Sequence, residues 1–198
     1  MNTVDYIQFG FVVLFTMVAA VCDFRTKRLP NWLTVPGFVA ALVFHAVRGA
    51  LEGGWSGAGS ALLTAMGGFA VGFGILFLLW IIGGGGAGDV KLMGALGAWF
   101  GPMNTFNLFL ISTLFVLVLS VGVLAWQSLQ KGAFAVKRRY LGEESASDKL
   151  KAKERGLTRE EAAVQRKVKR RLMPYGVPVA LAAWVVLLWS FRSQLFGA

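Results

Sequence analysis

Stretches of mostly apolar residues, broken by short polar or glycine-rich joints, recur along this 198-residue chain from Val4 to Phe191. A helix needs about 20 such residues to cross a bilayer core of about 30 Å. Inside hydrocarbon no water is available to the backbone, so a chain of this kind must satisfy its N–H and C=O groups within helices and then pack those helices together. Hydrophobic residues make up 56% of the sequence and the mean hydropathy is +0.63, which excludes an ordinary soluble domain. The expected fold is all-α: a polytopic membrane helix bundle with about six transmembrane helices.

The runs fall at about Val4–Val21, Trp32–Ala50, Ser60–Ile82, a short or tilted segment ending at Phe100, Thr105–Trp126 and Pro174–Phe191. The first lacks the basic start and small-residue cleavage site of a secretory signal, and reads as a retained helix. Cys22 to Asn31 reads as a loop with three cations, stopped by Pro30, and Gly53 to Gly59 as a flexible turn. Gly67, Gly68, Gly72 and Gly74 offer small faces for close helix packing. Residues 1–126 form a membrane core, 127–173 a basic loop, and 174–198 the last helix.

The formal net charge is +10. Between Gln127 and Leu172 stand 14 lysines and arginines against 6 acids, which marks that segment as cytoplasmic. Alternation then puts the loops around Asp23 and Asp89 on the same cytoplasmic side and both termini outside. Positive-inside topology accounts for the basic balance without nucleic acid, and membrane lipids are the expected surroundings. Within the loop, Thr158-Arg159-Glu160-Glu161 has the form of a capping box and predicts a short amphipathic surface helix over Ala162–Leu172. Trp32, Trp55, Trp80, Trp99 and Trp126 lie near predicted helix ends, as interfacial anchors do.

Cys22 and His45 are the only cysteine and histidine, so neither a disulfide framework nor a Cys/His zinc site can be built within one chain. Outside the basic loop there are four acids, Asp5, Asp23, Glu52 and Asp89. The topology sends Asp5 and Glu52 to the outer face and leaves Asp23 and Asp89 together. Acids at the edge of a span are costly enough to invite a functional explanation. For Asp23 the alternative is pairing with Arg25, Lys27 or Arg28 at a helix end. Asp89 follows a run of five glycines and one alanine, a backbone whose ordering costs entropy and calls for a compensating use. Two carboxylates that meet share one proton, giving a base to activate water and an acid to protonate the leaving amine, without metal or cofactor.

Other chemistries fit less well. A glycine-broken helix beside an acid also builds transporter sites, but those lie at the bilayer midplane, and no inverted repeat is evident. Gly54-Trp55-Ser56-Gly57 with His45 suggests a serine protease dyad, yet Ser56 falls in a glycine turn and His45 has the apolar neighbours Phe44 and Ala46. The phosphate-cradling Gly-x-x-x-x-Gly-Lys-Ser/Thr pattern is absent, and Lys91 follows Asp89 rather than the last glycine.

Gly86-Ala87-Gly88-Asp89 is similar to the Gly-x-Gly-Asp motif of intramembrane aspartyl proteases, among them the prepilin and preflagellin peptidases. Asp23-Phe24-Arg25-Thr26-Lys27-Arg28-Leu29-Pro30-Asn31 resembles the first aspartate motif of the type IV prepilin leader peptidase family, with Pro30-Asn31 opening the next helix. Val90-Lys91-Leu92 and Met173-Pro174-Tyr175-Gly176-Val177-Pro178 also resemble family patterns. The resemblance implies Asp23 and Asp89 as catalytic residues, with Gly86, Gly88, Lys91, Pro30 and Asn31 as motif support. It further implies a bacterial inner-membrane enzyme that cuts the leader from a prepilin or pseudopilin precursor at the cytoplasmic face. Longer members carry a domain with paired cysteines and methylate the new amino terminus; with Cys22 alone, cleavage without methylation is expected. The short form most resembles the peptidases of tight-adherence (Flp-type) pilus systems, from whose minimal core the basic loop departs. The oligomeric state is left open.

Overall fold

The computed structural model describes residues 3–26, 29–82, 86–131 and 175–195. The basic loop beyond Lys131, including Ala162–Leu172, and the cations Lys27 and Arg28 lie outside the described residues. Among the described residues the secondary structure is helical: α1, Thr3–Thr26; α2, Asn31–Ile81; α3, Ala87–Lys131; and α4, Gly176–Leu195. Three of these are long and apolar enough to cross a membrane, and α4 is a shorter apolar helix. Two compact units are present, one of Met1–Val116 with Pro174–Ala198 and one of Leu117–Met173. In the second unit the described residues, 117–131, are helical.

At 51 and 45 residues, α2 and α3 would each run about 65–75 Å if straight, more than twice the bilayer core. Both break at glycines. Gly53 and Gly54 leave helical geometry, Gly54 with φ +62, and Gly101 does so with φ +72 ahead of Pro102. Positive φ is easily reached by a residue without a Cβ, and Pro102 has no N–H to continue the ladder. The described residues therefore form six helical arms, 3–26, 31–52, 55–81, 87–100, 102–131 and 176–195. The turn predicted over Gly53–Gly59 shrinks to two residues, because Ser56 and Ser60 donate to the Gly53 and Gly57 carbonyls (both 3.0 Å) and start the next arm at once.

The short arm 87–100 is the centre of the first unit. From Leu92 to Phe100 every residue is buried, and Val90, Met93, Leu96 and Trp99 join Val12, Phe15, Leu108 and Val179 in one core. Helix α1 packs against α4 and α2. Arm 55–81 crosses arm 87–100 so closely that a Cβ on Gly68 would overlap the Gly97 carbonyl and one on Gly72 the Met93 carbonyl. Dispersion between closely approaching backbones is what holds helices together where lipid removes the hydrophobic drive.

The break at Gly101 leaves carbonyls without helical partners, and polar side chains cover them. Gln8 Nε2 donates to the Trp99 carbonyl (2.8 Å), His45 Nε2 stands 3.4 Å from the same oxygen, and Thr105 Oγ1 donates to Gly101 O (2.6 Å). His45 thus serves the backbone, while the Ser56 hydroxyl is bound to Gly53 O. At the same end the buried Asp5 carboxylate pairs with Arg48 (3.3 Å), which also holds Glu52 (2.9 Å). Trp32, Trp55, Trp80 and Trp126 are exposed as anchors would be, but Trp99 is 2% exposed. Its indole donates to Gly37 O (3.0 Å) and stacks on Phe11 at 4.5 Å, so it belongs to the core and not to an interface.

Two stability predictions follow from this packing. Gly68→Ala should lower stability by about 1–3 kcal/mol, since backbone cannot yield to the new methyl, whereas Gly74→Ala, with open space at its Cβ, should melt like the parent in detergent. Arg48→Met should destabilise by ~1–3 kcal/mol by removing the ion pair of the buried Asp5 carboxylate, and Asp5→Asn in that background should recover part of the loss.

Candidate active site

Helix α1 continues one turn beyond its predicted end, through Thr26, so Asp23 sits on a helix and not in a loop. Nothing from Cys22 to Thr26 breaks the ladder, and Thr26 Oγ1 donates to Cys22 O (2.8 Å) and supports the last turn. The Asp23 side chain is turned inward: the residue is 1% exposed, while Phe24, Arg25 and Thr26 are exposed. Its carboxylate meets the first residue of α4, where the Gly176 N–H donates to Oδ2 at 2.7 Å. Among the described residues no ion pair to Asp23 is present, so the pairing with Arg25 weighed from sequence gives way to a buried amide. The close approach favours glycine at 176, because a Cβ there would stand 3.0 Å from the Asp23 Cβ and press on it.

Asp89 occupies the first turn of α3 and is 9% exposed. The Gly86 N–H donates to its Oδ2 (3.2 Å), and the Asp89 N–H returns to Gly86 O (3.0 Å). This reciprocal pair closes the turn that launches the helix and fixes where the carboxylate stands. Gly88 lies against Leu29, its Cβ position 3.3 Å from that of Leu29, which brings the second motif onto the end of the first. Pro30 caps α2 in extended geometry, and its carbonyl receives the Leu33 and Thr34 amides at 3.2 and 3.4 Å. Asn31 opens α2 and accepts from Lys91 Nζ at 2.8 Å, tying the first turn of α3 to the start of α2.

At the start of α4, Gly176 holds Asp23, and its neighbour Tyr175 is partly buried against the core. The phenol oxygen lies 3.4 Å from Ser112 Oγ. Every site residue singled out in the sequence therefore falls at one end of the first unit, opposite the Asp5–Arg48–Glu52 cluster. In the sequence, Met173-Pro174-Tyr175-Gly176-Val177-Pro178 resembles the family's entry to the last helix, with nothing to mark it as a partner of Asp23. Its approach to Asp23 joins positions 153 residues apart, for which local pattern gives no signal. Ser112 was missed entirely, being one serine within an apolar run. Chemically, two buried carboxylates each held by a backbone N–H present fixed oxygens for moving a proton to and from a bound molecule.

The sequence profile of the Type IV leader peptidase family matches residues 10–121. The chain is 35% identical over 107 residues to a prepilin leader peptidase/N-methyltransferase of Escherichia coli (strain K12), covering 50% of this chain and 44% of that protein. It is 36% identical over 115 residues to the protein of the same description from Xanthomonas campestris pv. campestris, covering 54% and 37%. To that of Aeromonas salmonicida it is 24% identical over 171 residues, covering 85% and 44%. The chain thus spans less than half the length of these relatives. No solved structure matches it. With a profile match across more than half of its length, one that takes in both aspartates, the chain belongs to the type IV leader peptidase family.

Proposed function

We propose that the protein is a membrane aspartyl endopeptidase that removes the leader peptide from prepilin-like precursors, with Asp23 and Asp89 as its catalytic pair. The observation that carries this reading is the burial of both carboxylates at one end of the unit, each accepting a backbone N–H, Asp23 from Gly176 and Asp89 from Gly86. Family membership supports it, and so does the description of the relatives as prepilin leader peptidases.

In the reaction, one carboxylate takes a proton from water as its oxygen attacks the scissile carbonyl. The protonated partner donates to the carbonyl oxygen and then helps the amine depart. The two carboxyls return to a shared single proton once the products leave. Gly86 and Gly176 fix the aspartates through their amides, and Lys91 with Asn31 fixes the helix that carries Asp89. The excess of cations in the basic loop supports a site at the cytoplasmic face of the inner membrane. Flp-type prepilins are the first substrates to try. Cleavage without N-methylation is part of the proposal; it rests on the single cysteine, since the resemblance associates methylation with paired cysteines.

Co-expression with candidate precursors tests the reading. The parent should shorten a precursor in membranes, and Asp23→Asn or Asp89→Asn alone should slow cleavage at least about a hundredfold. Unchanged cleavage in both variants would show the assignment wrong. Mass spectrometry of the product should find a new amino terminus without an added methyl group. Activity against pH should be bell-shaped, as a coupled acid and base require, and should persist in chelator; a monotonic rise through the acidic range would contradict a shared proton.

A further inference from the structure

We propose that the Thr34 hydroxyl holds a buried water molecule in the seam where the first turns of α2 pack against α1 and arm 87–100. The proposal stands apart from the peptidase reading, because it rests on how one polar atom is enclosed.

Thr34 is 2% exposed, and its Oγ1 is the one buried side-chain nitrogen or oxygen among the described residues without a hydrogen-bond partner. Other threonines of the chain behave differently. Thr16, Thr26, Thr64, Thr105 and Thr113 each turn the hydroxyl back on the carbonyl four residues earlier, at 2.6 to 3.0 Å. For Thr34 that carbonyl belongs to Pro30, which already takes the Leu33 and Thr34 amides at 3.2 and 3.4 Å. A carbonyl oxygen has two lone pairs, and here both are engaged. The Thr34 hydroxyl is therefore not turned back on its own helix, and with so little of the residue exposed it is directed into the packing between helices.

Contacts on either side fix its place. Thr34, Gly37 and Ala41 form a buried stripe along arm 31–52. Three residues toward the aspartates, about 4.5 Å along the helix, Asn31 accepts from Lys91 (2.8 Å), and beyond it Leu29 lies against Gly88. Three residues the other way, Gly37 meets the Phe15 ring of α1, and its carbonyl accepts the Trp99 indole (3.0 Å). The hydroxyl thus stands on a face held to arm 87–100 both above and below it, and to α1 below, on the stripe that leads to the Asp89 turn.

The chemistry of the atom selects the ligand. A hydroxyl donates one hydrogen bond, accepts two and carries no charge, so it offers little to an ion. A peptide is too large for a point so enclosed. Water is small, donates and accepts in turn, and is what meets buried polar groups that a folded chain leaves unmet. The penalty for a buried hydroxyl without a partner exceeds the net gain of an ordinary hydrogen bond, which gives the water its hold.

The test compares full-length variants in detergent by scanning calorimetry. Thr34→Val keeps the shape and removes the hydroxyl, so it should lower the melting temperature by about 2–6 °C as the water loses its anchor. Thr34→Ser keeps the hydroxyl and should melt above Thr34→Ala, which does not. A crystal structure that shows ordered solvent should place a water about 3 Å from Thr34 Oγ1. If the hydroxyl has no ligand, its removal relieves a penalty, and Thr34→Val melts at or above the parent; that result would overturn the proposal. If the same variant also cleaves a precursor at least about fivefold more slowly, the partner of the hydroxyl is the substrate and not water. A dry seam around Thr34 in the crystal structure would overturn it as well, whatever the melting temperatures.

Discussion

In hydrocarbon a backbone N–H or C=O without a partner costs several kcal/mol, and nearly every feature of this protein answers to that constraint. It is why the described residues are helical, and why α2 and α3 turn within two residues at Gly53–Gly54 and Gly101–Pro102 instead of by open loops. It is also why polar side chains appear deep in an apolar chain. Gln8, His45 and Thr105 gather at the Gly101 break, where Gln8 donates to the carbonyl of residue 99, His45 approaches the same oxygen, and Thr105 donates to the carbonyl of residue 101.

The same constraint gives the two aspartates their setting. A buried carboxylate must be met by donors, and here the donors are backbone amides displaced from regular structure: Gly86 before α3 and Gly176 at the start of α4. Helix starts are where free N–H groups exist, so acids and helix starts come together at the same end of the unit. The opposite end handles its acids by charge, with Asp5 and Glu52 on Arg48. One of these buried carboxylates faces a cation, and the other two each accept a backbone amide.

Packing makes this arrangement rigid. The arm 87–100 is enclosed from Leu92 onward, and its contact with arm 55–81 runs through Gly68, Gly72 and Gly97, where backbones meet directly. Asp89 therefore rises from an arm whose residues are buried from Leu92 to Phe100. Asp23 is reached from the other side, by α1 packing on α4. The site joins the most central arm to the last one.

Much of this was legible in the amino-acid order. Apolar runs of spanning length gave an all-helical bundle, and the scarcity of acids outside the basic loop isolated Asp23 and Asp89. Glycine and proline marked the breaks, although they overstated the first loop and the Gly53–Gly59 turn, because helices in apolar surroundings extend until a residue forbids it. Trp99 could not be told from the interfacial tryptophans, since its place near a helix end is shared by both kinds and only packing on Phe11 separates them. The sequence by itself determined the helices, their breaks and the two acids, because these follow from local periodicity, from steric limits on φ and from the cost of charge in lipid. The tertiary structure alone decided that Gly176 holds Asp23, that Lys91 reaches Asn31, and that Ser112 lies beside the Tyr175 phenol. Those contacts join residues far apart in the chain, and they arise only when the helices have packed.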